Sequence, residues 1–236
     1  MGAESPAIHG AVGDAIPHES SRLHVTGRAT YTDDIPEPKG ILHLAIGLSS
    51  NPHARIRNLD LSAVSAAPGV VAVMTADDIP GTNNCGPVLD DDPILAPGLV
   101  QYAGQAMFAV AAINIDAARK AVSLAIVDYE SLPPVLDIRE AVAKESFVLP
   151  TEKLVRGDSG GAIASARHRL SGSVDLGGQD QFYLEGQVAL ALPKEDGDVF
   201  VYSSTQHPGE VQHLVASAIG KQSKDVVVEC RRMGGA

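Results

Sequence analysis

A chain of 236 residues with a formal net charge of −11 is a poor match for a nucleic-acid partner, which requires a basic face that displaces counterions. A hydrophobic fraction of 44% against 20% charged residues excludes a disordered chain, and the length allows one or two domains with their own cores. Aromatics reach only 4% and Trp is absent, so the core must be aliphatic and alanine-rich, which suits mixed α/β layers better than a sandwich built on large rings.

Residues 1–20 read as an extended segment containing Pro and Gly. Met1-Gly2-Ala3-Glu4-Ser5-Pro6 has neither the basic nor the apolar stretch of a secretory leader, and no apolar run reaches the roughly 18 residues of a membrane span. A cytoplasmic protein with no membrane partner is expected. A first domain spans residues 21–134. Ile41–Leu48 is apolar enough for a buried strand, and Ala54–Leu59 alternates like a half-exposed one. Leu61–Ala67 fits a short helix that Pro68-Gly69 ends, and Val70–Met74 is the next strand. Ala106–Ala111 is another, followed by Asn114 as the N-cap of a helix whose Ala117, Ala121, Leu124 and Ala125 recur at helical spacing, with Arg119 and Lys120 on the opposite face. Ile126–Glu130 returns as a strand and Leu132-Pro133-Pro134 closes the unit. Strands alternating with helices define an α/β or α+β module.

Residues 135–166 read as a linker with a short helix at Asp137–Ala143 and a loop at Arg156–Gly161. A second domain occupies residues 167–236, with strands at His168–Asp175, Gln187–Leu192 and Asp198–Ser203. A helix then opens at Pro208, tolerated at a first helical position, presents Val211, Leu214, Val215, Ala218 and Ile219 on one face and ends at Gly220. Val226–Cys230 is the last strand. This β-β-β-α-β piece reads as the opening of a larger domain.

Cys85 and Cys230 lie in no metal-ligand pattern, so neither structural zinc nor a chain-borne iron–sulfur cluster is expected, and two reduced, packed thiols fit a chain without a leader. His207, Glu210 and His213 form an H-x-x-E-x-x-H spacing, but His207 falls at the helix start, which argues against a shared metal. Asp33-Asp34 and Asp90-Asp91-Asp92 stand beside prolines in turn contexts, where solvated turn chemistry accounts for them as well as a divalent cation would. Gln179 and Glu185 invite a general-base role, although Glu185 leads into an apolar strand and fits local pairing better. Arg231-Arg232 is too short a run to define an anion site. Two strand ends stand out as presenting platforms: Ser203-Ser204-Thr205-Gln206-His207-Pro208 and Arg231-Arg232-Met233-Gly234-Gly235-Ala236. Taken alone, Gln206 reads as a polar residue satisfying backbone groups at a helix start.

Ordered motifs along nearly the whole chain carry a family resemblance. They include His24-Val25-Thr26-Gly27, Tyr31-Thr32-Asp33-Asp34-Ile35-Pro36, His53-Ala54-Arg55-Ile56, Pro68-Gly69-Val70, Asp77-Asp78-Ile79-Pro80-Gly81 and Gly104-Gln105. They continue through Asp128-Tyr129-Glu130-Ser131-Leu132-Pro133, Arg156-Gly157-Asp158, Gly177-Gly178-Gln179-Asp180-Gln181-Phe182-Tyr183-Leu184-Glu185, Ser204-Thr205-Gln206-His207-Pro208 and Arg231-Arg232-Met233-Gly234-Gly235. In these the chain resembles the N-terminal part of the large, molybdenum-binding subunit of the xanthine dehydrogenase family in its two-subunit bacterial form, related to the aldehyde oxidases.

The resemblance implies an α/β hammerhead domain followed by the first part of a molybdenum-cofactor-binding domain. Family members hydroxylate purines or aldehydes at a molybdenum–pterin (molybdopterin) centre and pass electrons through two iron–sulfur (2Fe-2S) clusters and FAD, on a partner subunit, to NAD. It implies that Gln206 hydrogen-bonds an oxygen ligand of the metal, a role suited to a neutral amide, and that Gly234 and Gly235 let the backbone pass close to the cofactor. Where the family continues with a third glycine and then Phe-Gly-Gly-Lys-Glu, this sequence has Ala236. Asp180 and Gln181 replace the usual Glu-His. The general-base carboxylate and the substrate-positioning residues lie further on in the family. An N-terminal portion is therefore expected: no catalytic residue, no metal ligand, and by itself neither bound cofactor nor turnover, within an enzyme that is oligomeric when complete. The other reading is a non-catalytic assembly module.

Overall fold

The computed structural model describes residues 13–86, 88–183 and 185–234. They form two compact units. One combines the segment up to Pro38, which carries the short helix α1 (Ser21–Val25), with Tyr183–Ala216 and Lys221 onward. The other comprises Lys39–Phe182 and the short piece Ser217–Gly220.

The larger unit is built on two three-stranded antiparallel sheets. The first has the order β1 (His43–Leu48), β5 (Ala106–Ala112), β3 (Val70–Met74), and the second β4 (Leu99–Val100), β2 (Ala54–Asp60), β6 (Ile126–Ser131). β5 is apolar from end to end because it is the middle strand: Met107, Phe108, Val110 and Ala112 are all buried. Met107, Phe108 and Val110 form the core with Ala54, Val100 and Val64, the last on the short helix α2 (Ser62–Ser65). Gly47 stands opposite Phe108 in the β1–β5 register, and a side chain there would run into the Phe108 ring, so a glycine in the middle of β1 is a packing requirement.

α3 (Ile115–Val122) follows β5 and packs on β1 and β5. Its Asn114 cap is formed as expected, the side-chain oxygen accepting from the Ala117 amide at 2.8 Å. The buried face is rotated by one position from the expected one: Ala118 and Ala121 are buried with Val122 and Ala125 beside them, while Leu124 is exposed. Small residues permit either face, and contact with the sheet selects one. β1 also departs from expectation. Its Leu44 is 61% exposed and Ile46 and Leu48 are likewise on the open side, so this strand is half-covered and not buried.

After β6 come α4 (Ile138–Ala143), capped by Asp137, and α5 (Ser159–Ser165), where a loop was expected. Asp158 starts α5 by accepting the Gly161 amide at 2.9 Å, an N-cap within the Arg-Gly-Asp motif. His168–Asp175, expected as a strand, is exposed and forms none, so the sheet of the smaller unit begins at β7 (Ala189–Pro193).

In the smaller unit β7 pairs antiparallel with β8 (Val199–Ser203) through a tight turn in which Asp196 and Gly197 take φ values of 57° and 78°. α6 (Pro208–Ala218) then leads to β9 (Val226–Glu229), which runs parallel to β8 with Val199 opposite Val226 and Tyr202 opposite Glu229. Parallel neighbours need a crossover, and α6 provides it. Pro208 is the first helical residue, and Gly220 at φ 67° lets the Lys221 amide turn back to the Ala216 carbonyl at 2.8 Å.

Candidate functional site

The parallel β8–α6–β9 arrangement brings the C-terminal ends of two adjacent strands to the same edge of the sheet, where α/β folds present ligand-binding loops. The loop after β8 is Ser204-Thr205-Gln206-His207, and the loop after β9 is Cys230 to Gly234. Both border a cavity of about 480 Å³ whose walls include Tyr183, Gln187, Ser204, Thr205, Gln206 and Met233. Its lining holds amide, hydroxyl and apolar groups and no charged side chain.

Ser204 fixes the first loop. Its amide donates to the Val188 carbonyl and its hydroxyl to the Gly186 carbonyl at 3.2 Å, while the Val188 amide donates to its Oγ at 3.0 Å. One side chain thus joins the approach to β7 and the exit from β8. Thr205 Oγ1 accepts from the His207 amide at 3.0 Å, tightening the turn into α6. His207 caps that helix: its carbonyl accepts from Val211 and its Nδ1 accepts from the Glu210 amide at 3.0 Å. With Ser204, Thr205 and His207 committed to the backbone, Gln206 is left exposed at the cavity wall with its amide available.

Gly234, on the second loop, lies against Glu185. A Cβ at position 234 would sit 2.5 Å from the Glu185 nitrogen and 2.6 Å from its Cβ, so the backbone approaches as only glycine allows. Gly235 lies outside the described residues. Glu185 is 9% exposed and lines no part of the cavity, and in place of the expected local pairing its Oε1 accepts the amide of Asp33, far back in the chain, at 3.3 Å.

The remaining candidates resolve into structural roles. His207 and His213 do not converge with Glu210: His213 Nδ1 contacts Ser223 Oγ at 2.8 Å, and among the described residues no group of three His, Cys, Asp or Glu side chains is placed to hold a metal. The acidic runs are turn devices. Asp34 accepts the Tyr31 amide at 2.9 Å, and Asp90 accepts from Asn84 at 2.9 Å. The Asp78 carboxylate accepts the Thr75 amide at 2.7 Å and its hydroxyl at 2.9 Å, which holds its pKa below the usual range. Gln105, from the Gly104-Gln105 motif, is a buried turn-former whose Oε1 accepts the Gln101 amide at 2.7 Å. Both cysteines are free thiols. Burial, then the neighbouring Asp92 charge, raises the Cys85 pKa. Sequence reasoning missed the role of Arg232, whose guanidinium reaches Thr30 and Ser20 far back in the chain; nothing in the local pattern signals such a reach.

Two family models match consecutive stretches: the aldehyde oxidase and xanthine dehydrogenase a/b hammerhead domain over residues 26–133, and the molybdopterin cofactor-binding domain over residues 142–236. The chain belongs to the aldehyde oxidase and xanthine dehydrogenase family of oxidoreductases. It is 35% identical over 97% of its length to xanthine dehydrogenase/oxidase of Gallus gallus, and 40% identical over 95% to aldehyde oxidase 2 of Cavia porcellus. It spans 17% of the length of each of these relatives. Among solved structures, the aldehyde oxidoreductase of Desulfovibrio gigas superposes with a TM-score of 0.78 at 28% identity, covering 93% of this chain and 26% of that one. Quinoline 2-oxidoreductase of Pseudomonas putida 86 shares the fold with a TM-score of 0.77 at 24% identity, over 95% of this chain and 30% of that one. Among the described residues no helix is long and apolar enough to cross a membrane.

Proposed function

We propose that this chain forms the hammerhead region (residues 21–134) and the first part of the cofactor-binding region (167–236) of a cytoplasmic xanthine dehydrogenase that converts hypoxanthine and xanthine toward urate. In this reading an FAD and iron–sulfur partner subunit carries the electrons away to NAD. The observation that carries it is the exposed Gln206 amide in an uncharged cavity at the ends of parallel β8 and β9. The donor set fits a molybdenum–pterin group. An amide and hydroxyls hydrogen-bond oxygen ligands and ring heteroatoms without displacing a metal ligand or adding charge, and Gly234 leaves room for close backbone approach. When bound, that group supplies oxygen transfer to carbon and accepts two electrons. Gln206 would orient one of its oxygens, Ser204 and Thr205 hold the loop that aims Gln206, and Met233 and Val211 keep water from one wall. A second reading, an aldehyde-hydroxylating enzyme, draws on the 40% identity to aldehyde oxidase 2 of Cavia porcellus.

The test uses the protein purified from its native source, with molybdenum measured by mass spectrometry and dye reduction followed with xanthine and with an aromatic aldehyde. Stoichiometric molybdenum with xanthine turnover is expected, and Gln206→Ala should lower turnover about 10- to 100-fold, as losing a group that orients a metal's ligands typically does. Turnover of the aldehyde alone selects the second reading. Absence of molybdenum and of both activities, or a Gln206→Ala protein indistinguishable from wild type, sinks the proposal.

A further inference from the structure

We propose that Arg232 and Glu185 are positioning residues that strap the Met233-Gly234 wall of the cavity to the segment Ser20–Asp33, so that this N-terminal segment sets where the wall lies. The proposal goes one step beyond the cofactor reading and rests on it only for what the wall faces.

The wall is held from two sides. Arg232 Nη1 donates to the Thr30 carbonyl at 2.7 Å and Nη2 donates to Ser20 Oγ at 3.2 Å, a fork across two acceptors. The next residue, Met233, lines the cavity, and Gly234 after it rests on the backbone of Glu185, with a Cβ there meeting the Glu185 Cα at 2.8 Å. Glu185 is in turn tied to the same segment, its Oε1 accepting from the Asp33 amide at 3.3 Å. Three residues of one segment, Ser20, Thr30 and Asp33, therefore anchor both the loop and the floor beneath it. Ser20 and Thr32 are buried at 8% and 9% exposure, uncommon for small polar residues and consistent with a docked strap.

Among the described residues, Glu185 Oε2 and Arg232 Nε are buried side-chain atoms without a hydrogen-bond partner. Leaving buried charged atoms partly unsatisfied is unfavourable, and apolar packing of similar volume would serve stability as well or better. What the Arg232 guanidinium adds is direction. A planar guanidinium spanning two acceptors defines position more sharply than an ammonium or an apolar side chain does.

The experiment measures hydrogen–deuterium exchange in the full 236-residue chain for wild type, Arg232→Lys, Arg232→Met, Ser20→Ala, Glu185→Ala and Glu185→Gln, with Arg231→Lys as control because Arg231 pairs with Glu229, two residues away. Arg232→Met and Glu185→Ala should raise exchange at residues 231–234 about tenfold while β7 and β8 amides stay at wild-type protection. Ser20→Ala should raise it several-fold despite its distance in sequence. Arg232→Lys should fail to restore protection, since one ammonium cannot reproduce the fork. Glu185→Gln should restore it, since its carbonyl still accepts from Asp33. Unchanged exchange at 231–234 in Arg232→Met and Ser20→Ala overturns the strap, and so does a loss of protection spread evenly through β7, β8 and β9. Full rescue by Arg232→Lys overturns the fork. Pterin released from the protein purified from its native source, read by fluorescence after oxidation, tests the cofactor reading separately: none there counts against that reading and leaves the exchange result to decide the strap.

Discussion

Gly47→Ala probes the packing of the larger unit at its tightest point. Gly47 of β1 stands opposite Phe108 of β5, and an added methyl would fall inside the ring, nearest its Cε1, Cζ and Cδ1 atoms, where carbon atoms normally rest about 3.5–4.0 Å apart. Phe108 is 1% exposed, so the strand or the ring must shift to admit the methyl. Overpacking of this kind costs about 1–3 kcal/mol. Alanine's smaller unfolded-state entropy returns about 0.4–1 kcal/mol. With the methyl placed on the ring itself the upper range applies, and the net loss should be about 2 kcal/mol, or a fall of about 4–8 °C in the melting point of a chain this long. Urea titration should show a lower midpoint at an unchanged slope. The partner variant Phe108→Leu supplies the decisive arm. If the overlap is the cause, the double variant should lose less than the two single losses added together, by about 0.5–3 kcal/mol. A wild-type midpoint for Gly47→Ala, or strict additivity in the double variant, refutes the argument.

Asn114→Ala removes the side chain that accepts the Ala117 amide and should lower stability by about 1 kcal/mol, with faster exchange confined to the first turn of α3. Asp78 is held ionised by the Thr75 amide and hydroxyl, so its folded pKa lies below its unfolded one. Its stabilising contribution is present above about pH 4 and is lost as pH falls through the folded value. Acid titration of Asp78→Asn should therefore show a shallower loss of stability below pH 4 than wild type, and parallel curves would contradict this. The Cys85 thiol, raised by burial and by Asp92, should carry less thiolate than a free cysteine at the same pH. In a Cys230→Ser background its alkylation rate should have its pH midpoint above about 8.5, and a midpoint at or below that value would remove the burial argument.

Several features were legible in the sequence because they depend on neighbours along the chain. The Asn114 cap, Pro208 at a helix start and Gly220 just past its end are local signals, and each appears where the pattern places it. The loop holding Gln206 could be located from the change between an apolar run and a helical period. Other features depend on partners distant in sequence. Which face of α3 is buried is decided by the sheet, since alanines at 117, 118 and 121 satisfy either choice. Leu170 and Val174 give His168–Asp175 a strand-like composition, yet among the described residues no strand pairs with it. The Arg232 fork closes over more than two hundred residues, and only the fold reveals that Ser20 and Thr30 are its acceptors.

The acidic turns have a consequence for how the chain reaches this fold. Asp-Asp-Ile-Pro occurs at residues 33–36 and again at 77–80. In both places the second aspartate accepts the amide three residues before it while its own amide donates back to that residue's carbonyl, and Asp225 repeats the same pair of bonds with Gln222. Three copies of one geometry, in different surroundings, mean that the geometry is written into four or five residues. Such turns can form in about 100 ns or less, the scale of short-loop closure, and so shorten the search for strands that pair only after long loops have closed. Each is a corner set by its own four or five residues, whatever strands later meet beside it.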